Sequence, residues 1–365
     1  MHEYGSIKPI TPIRRALAVL LAWGAAAGLA GAAQPPADLG KRLVEGYIAP
    51  ATRALADSGR QLADTLQGWC ARPDEAGAGR VRQGYAQVVR AWAGVEFLRF
   101  GPLVESNRYE RIFFWPDPRG IALRQVQALL AAPAAPTAGE LASRSVAVQG
   151  LPALEYVLYR DGGLLAAPGG EGFASGCAYA AAVAANVARV GGELADAWAP
   201  GGAYARHFAR PAPGDALYRS TQEVAAEAVK ALSTGLQYAR DVKLLPVLGS
   251  GPDAAQPRRA PFWRSGQTVP SMLAWTQGLQ AFYRAGGYDY GEDAWIGENL
   301  TGELQRLEAV FAALPGPVEE TLASPDGHRS LTLATLLLKN AKALVDQDMA
   351  PALGVAIGFN ALDGD

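Results

Sequence analysis

Histidine is nearly missing from this chain: there are three in 365 residues, and only His207 and His328 lie beyond residue 33. A zinc hydrolase needs about three nitrogen, sulfur or carboxylate ligands plus a water, and histidine is its usual ligand. With no HExxH pair, the common histidine-built zinc chemistries are excluded. His207 falls in a proline- and glycine-rich stretch and His328 in "SPDGHRS", near a helix start, so both read as surface or capping residues. Cysteine is as scarce. Cys70 and Cys177 are the only two, and their spacing is not that of a CxxC redox or zinc motif. No serine-nucleophile motif is present. An excess of one charge is also lacking, with 33 basic against 35 acidic residues, and the basic ones are scattered, so there is no nucleic-acid footprint. Strand-like alternation is hard to find anywhere.

What the chain does contain is alanine, leucine and apolar residues repeating at three and four. Leu43, Tyr47, Ala51, Leu55, Leu62, Leu66 and Trp69 mark one helical face, and Tyr85, Val88, Val89, Trp92, Val95 and Phe97 mark another within residues 81–100. Further helices are expected over 118–130, 151–159, 173–198, 216–243, 269–285, 297–314 and 328–345. The fold class is all-α. About 330 residues remain after the N-terminal segment discussed next, more than one typical core holds, so two packed helical-bundle domains are expected. The break falls in "APGGAYARHFARPAPGD", which places a first bundle at 34–212 and a second at 213–365. Four or so helices on each side raise the conjecture of an old duplication, although no clean internal repeat is visible.

Residues 1–33 read as a signal peptide. Arg14 and Arg15 precede the apolar run "ALAVLLAWGAAAGLA", and small residues follow it. Sec-type export is the expectation and a twin-arginine signal the alternative; no cysteine follows to take a lipid anchor, and no membrane span is expected once the signal is gone. Loss of Lys8, Arg14, Arg15 and Glu3 leaves 30 basic and 34 acidic residues. In an exported, periplasmic protein an even cysteine pair favours a disulfide over two separate buried thiols.

Two acids attract attention because apolar helix faces carry them inward. In "GLPALEYVLYRDGG", Gly150 closes one segment and Pro152 suits a first helical turn. Leu151, Leu154 and Leu158 form the apolar face, with Glu155 on its edge. Such a carboxylate answers the positive end of a helix dipole, worth up to about 1 kcal/mol at an exposed site, or it has a further use. Glu96, in "WAGVEFLRF", is the second acid. Buried acids need partners, and the arginines on offer are Arg108, Arg111, Arg124, Arg259 and Arg264.

Four segments, "LRFGPLVESNRYERIFFWPDPRGIALRQV", "GLPALEYVLY", "RAPFWRSG" and "GFNALDGD", together resemble the imelysin family of exported bacterial proteins. The resemblance implies a helical protein of two bundle-like halves, associated with iron-regulated or iron-uptake systems of the cell envelope. It also implies a metallopeptidase label, attached to a GxHxxE signature. Here that signature is Gly150 to Glu155 with Pro152 at the histidine position, which counts against a catalytic metal. Arg111 and Arg124 match the family's tryptophan-proline-aspartate block and are the expected partners of Glu155 and Glu96. The candidate ligand site is then Glu155, Glu96, Arg111, Trp115, Asp117, Arg124, Arg259 and Arg264, a polar cleft between the halves. No residue is assigned as catalytic; Glu155, Glu96 and Asp117 are the candidate metal ligands and iron the candidate cofactor. The expected role is binding or accessory, in envelope iron or metal uptake, with a metal ion, chelate or small anion and envelope uptake components as partners. A metallopeptidase is the first alternative and a structural or partner-binding module the second. Against the ligand site stands the plainer reading of a structural ion-pair network, which holds geometry and adds little stability.

Overall fold

The structure is a computed structural model that describes residues 34–356. The expected signal peptide and the terminal "GFNALDGD" segment lie outside the described residues. Within them every regular element is helical and there is no strand. The nine longer helices are α1 (Ala49–Ala71), α2 (Glu75–Ala93), α3 (Ile121–Leu130), α4 (Leu151–Tyr159), α5 (Phe173–Trp198), α6 (Thr221–Tyr238), α7 (Thr268–Gly286), α8 (Trp295–Ala312) and α9 (Pro325–Ala343).

Their starts follow from local chemistry. Asp74, Ser220 and Ser324 sit before α2, α6 and α9, and each accepts a bond from a backbone N–H of the first turn, satisfying a donor that has no intrahelical partner. α4 begins at Leu151 with Pro152 in its first turn, where a missing N–H costs nothing. Gly150 before it must be glycine, because a Cβ there would come within 2.3 Å of the Ile112 carbonyl oxygen.

Three helical stretches run through a proline. Pro50, Pro246 and Pro351 each follow a π-turn, at Val44–Ile48, Ala239–Leu244 and Leu344–Met349. A proline inside a helix removes one backbone donor and drives its ring against the carbonyl four residues back. Those carbonyls belong to Gly46, Val242 and Gln347, inside the widened turns. Opening the turn to i→i+5 bonding lets the helix pass the proline without breaking.

α1 packs along α5 and also against α2, and α4 packs against α5. The α1–α5 crossing is close because it is built from small residues: a Cβ on Gly59 would meet Ala188 Cα at 3.1 Å, and one on Gly191 would meet Ala56 Cα at 3.2 Å. A disulfide between Cys70, near the end of α1, and Cys177, near the start of α5, ties the same pair of helices. α5 is long and apolar enough to cross a membrane by composition, yet most of that apolar length is buried against its neighbours. Beyond residue 213, α7 packs on α8, α8 on α9 and α9 on α6, a second helical group.

The two groups share one continuous apolar core, and the described residues belong to one compact unit. α7 lies against α2, with Gly278 and Gly94 at the contact. Phe97 packs its ring 5.5 Å from Phe282 and its Cβ against Gly235. The apolar run after α2, expected to be helical to residue 100, leaves the helix after Ala93. Val95, Phe97, Leu98 and Phe100 turn into this shared core, and burial of their side chains outweighs continuation of the helix.

Candidate functional site

Glu155 is carried by α4 into the core as its helical position predicts, with Leu151, Leu154 and Leu158 buried around it. Its own exposure is 4 %. The group that meets it comes from beyond residue 213. Ser265 donates to Glu155 Oε1 from its backbone N–H at 2.9 Å and from its hydroxyl at 2.7 Å. The same hydroxyl lies 3.1 Å from the Phe262 carbonyl, so its single proton serves one acceptor at a time. Burial pushes the Glu155 carboxyl up from 4.5 to about 6, against the lowering effects of the Ser265 bonds and the Arg264 charge. The helix dipole expected to keep it ionised is outweighed by desolvation. Tyr85 and Tyr159 flank it, each held above the ordinary phenol range by burial and then by this carboxylate.

Backbone strain presents Ser265. Phe262 has φ +58°, a left-handed conformation that costs a bulky residue about 1–2 kcal/mol. Its ring is buried 5.2 Å from Phe113, and Thr268 Oγ1 donates to the Pro261 carbonyl at 2.7 Å, closing the turn. The buried ring holds the strained residue, and the reversal brings Arg264 and Ser265 against α4. Strain of this kind concentrates at functional positions.

Glu96 lies in a second buried centre. It forms an ion pair with Lys243, again from beyond residue 213, with exposures of 3 % and 2 % for the two side chains. Burial pushes the Lys243 ammonium below the ordinary lysine range while Glu96 pulls it back. Its Nζ sits 5.7 Å from the Phe113 ring centre and 5.9 Å from that of Tyr238. Arg99 stacks on Tyr109 at 4.0 Å and Tyr238 at 4.6 Å. Glu96 Oε2 and Trp92 Nε1 are buried without a hydrogen-bond partner.

The expected pairing of Glu155 and Glu96 with Arg111 and Arg124 is therefore corrected: a serine and a lysine from beyond residue 213 fill those places. Arg111 donates to Gln149 Oε1 at 3.1 Å and to the Ala142 carbonyl at 3.3 Å, bracing the chain ahead of α4. Arg124 donates to the Arg119 carbonyl at 2.6 Å on the surface. Asp117 does not join Glu155. Both its oxygens accept from the first turn of α3, at 2.8 Å from Ile121 N and 2.8 Å from Ala122 N, so it is a helix cap. Trp115 stands 5.7 Å from Phe113 and 6.5 Å from Tyr238, the two rings that also face Lys243. Arg259 is exposed. Of the predicted set, Glu155 and Arg264 come together, and Glu96 and Trp115 are linked through Lys243 and the Phe113 and Tyr238 rings. Ser265, Lys243, Arg99 and Tyr238 are the participants that sequence reasoning missed. Ser265 stood inside the quoted "RAPFWRSG"; Lys243 offered only the signal of a single lysine in the apolar run "DVKLLPVL".

A resident catalytic metal does not fit these residues. Among the described residues no group of three or more His, Cys, Asp or Glu side chains is placed to hold one. Glu155 Oε1 already accepts two bonds, Glu96 is paired with an ammonium, and Asp117 is spent on a helix end. What the arrangement provides is a protonatable, latched carboxyl beside a strained arginine-bearing turn.

A family model described as Imelysin matches residues 45–345. Among solved structures, an imelysin-like protein from Psychrobacter arcticum 273-4 is similar with a TM-score of 0.73 at 22 % identity, over 90 % of this chain and 99 % of that one. A protein named as an iron-regulated protein A precursor from Parabacteroides distasonis ATCC 8503 gives a TM-score of 0.67 at 14 % identity, over 86 % and 96 % of the two chains. No curated protein matches the chain by sequence.

Proposed function

The chain belongs to the imelysin family, and from that premise we propose that it is an exported accessory protein of envelope iron handling. It binds its cargo, a ferric chelate or small anion, in the periplasm where the two helical halves meet around Glu155, and it does not hydrolyse peptides. The observation that carries this is the Glu155–Ser265 contact. A buried acid of one half is latched to a strained turn of the other, and Arg264 of that turn acts on it electrostatically. The iron-regulated name of one structural relative supports the iron economy as the setting. Proline at the signature's histidine position supports binding over hydrolysis.

Glu155→Gln keeps the shape and removes the charge. Iron would be supplied as the ferric acetohydroxamate complex, and the iron retained by the full chain after gel filtration measured. The wild type should retain iron and the folded variant should lose most of it. No retention by the wild type, or equal retention by both, would sink the reading and leave Glu155 a structural latch.

A further inference from the structure

Between the Pro257–Arg259 turn and the end of α4, arginine and aromatic side chains alternate in one contact series. Arg258 Cζ lies 5.3 Å from the Trp263 ring centre, and Arg264 Cζ lies 4.2 Å from Trp263 and 5.4 Å from Tyr156. Arg160 Cζ follows at 5.7 Å from Tyr156. The order is Arg258, Trp263, Arg264, Tyr156, Arg160, drawn from α4 and from the turn that latches it.

Each contact is a cation–π approach within the usual range. Such contacts take no hydrogen bond from a guanidinium, and its N–H edges match planar carboxylates two bonds at a time. Among the described residues none of these three guanidinium groups forms a salt bridge with a carboxylate, and Arg160 Nε is buried without any hydrogen-bond partner. Ordinary surface arginines that lack a partner are free to move. Here the aromatic members are anchored: Gln127 of α3 donates to the Tyr156 hydroxyl at 3.0 Å, and the Trp263–Arg264 pair stands between buried Phe262 and latched Ser265. Cations held in place with no carboxylate at salt-bridge distance form a preorganised receptor. Arg258 and Arg264 share the Trp263 ring and Arg264 and Arg160 share the Tyr156 ring, so a ligand that engages neighbouring cations needs two or more carboxylates.

We propose that the Arg258–Trp263–Arg264–Tyr156–Arg160 stack is a binding site for a small polycarboxylate anion, free or as the ligand shell of a ferric chelate. This deepens the functional reading above by naming the ligand's chemistry, and it rests on that reading only for the iron.

The test titrates the full chain with citrate in the absence of iron, by calorimetry, and in a second arm with ferric citrate. The wild type should bind iron-free citrate saturably, and inorganic phosphate at equal ionic strength at least about tenfold more weakly. Arg264→Lys keeps the charge and loses the planar fork, and Arg258→Gln removes an exposed member of the stack; each should weaken citrate at least about tenfold. Arg329→Gln, on the exposed face of α9, should change nothing. If Arg264→Lys does not fold, Arg258→Gln decides alone. Absence of saturable citrate binding, affinity unchanged in the stack variants, an equal loss in Arg329→Gln, or phosphate binding as tightly as citrate would overturn the proposal. Tighter binding of the chelate than of the free acid identifies the chelate as ligand, and equal binding identifies the anion. Citrate binding without retention of iron from the hydroxamate complex removes the iron role and leaves the stack standing; iron retention without citrate binding removes the stack alone.

Discussion

Lys243 reaches Glu96 across 147 positions of sequence, and the two charges meet where neither touches water. Lys243 lies in the π-turn Ala239–Leu244, while Glu96 lies just past the end of α2, so the pair joins the two helical groups at their shared core. Taking both ions out of water costs about as much as their attraction returns, and removing one partner strands the other. Glu96→Gln or Lys243→Met alone should lower unfolding stability by about 3–5 kcal/mol, whereas the double variant should recover most of that loss. Urea denaturation of the four proteins measures the coupling.

Glu155 gives stability a pH dependence of definite sign. Its folded-state value of about 6 lies above the 4.5 of the unfolded chain, so between these values the folded state holds more of the proton. The penalty for ionising it in the core is present in full above pH 6. It is relieved as pH falls from 6 through 4.5, so this group's contribution makes the protein more stable on mild acidification, by about 2 kcal/mol. The difference in stability between wild type and Glu155→Gln, followed from pH 7.5 to pH 4.5, should show that slope, and a flat difference would contradict it.

The disulfide closes a loop of 107 residues. Chain-entropy reasoning assigns such a closure about 4–5 kcal/mol, drawn from the unfolded state. Replacing Cys70 and Cys177 by serine should lower the melting temperature while leaving the helical circular-dichroism spectrum of the folded form intact. Mass spectrometry of unreduced protein should find no alkylatable thiol.

Proteolysis is expected to be absent. The wild type should cleave casein no faster than buffer, with or without added zinc. Cleavage that a chelator stops, and that Glu155→Ala abolishes, would establish the hydrolytic alternative.

The helices were legible because their apolar spacing is local. The 173–198 pattern lies where α5 does, and the inward aim of Glu155 and Glu96 follows from the faces on which they sit. Their partners were not legible. Ser265 is 110 positions from Glu155, and charge matching pointed to arginines that the chain uses on backbone carbonyls and on Gln149. Asp117 entered the expected site as the acid of the tryptophan-proline-aspartate block; its oxygens are taken by two amides at the start of α3. Composition near a site indicates which groups are available. Packing between distant segments decides which are used.

The π-turns ahead of Pro50, Pro246 and Pro351 act on the helices as an inserted letter acts on a reading frame. One extra residue turns every later side chain by about 100° about the axis, so the same helix offers different stripes before and after the turn. Deleting one residue from Ala239–Leu244 should restore a regular spiral while leaving Lys243 facing a different neighbour from Glu96. The longest-range ion pair among the described residues thus depends on a local count, and an alignment that treats this position as a tolerable gap would misplace the lysine.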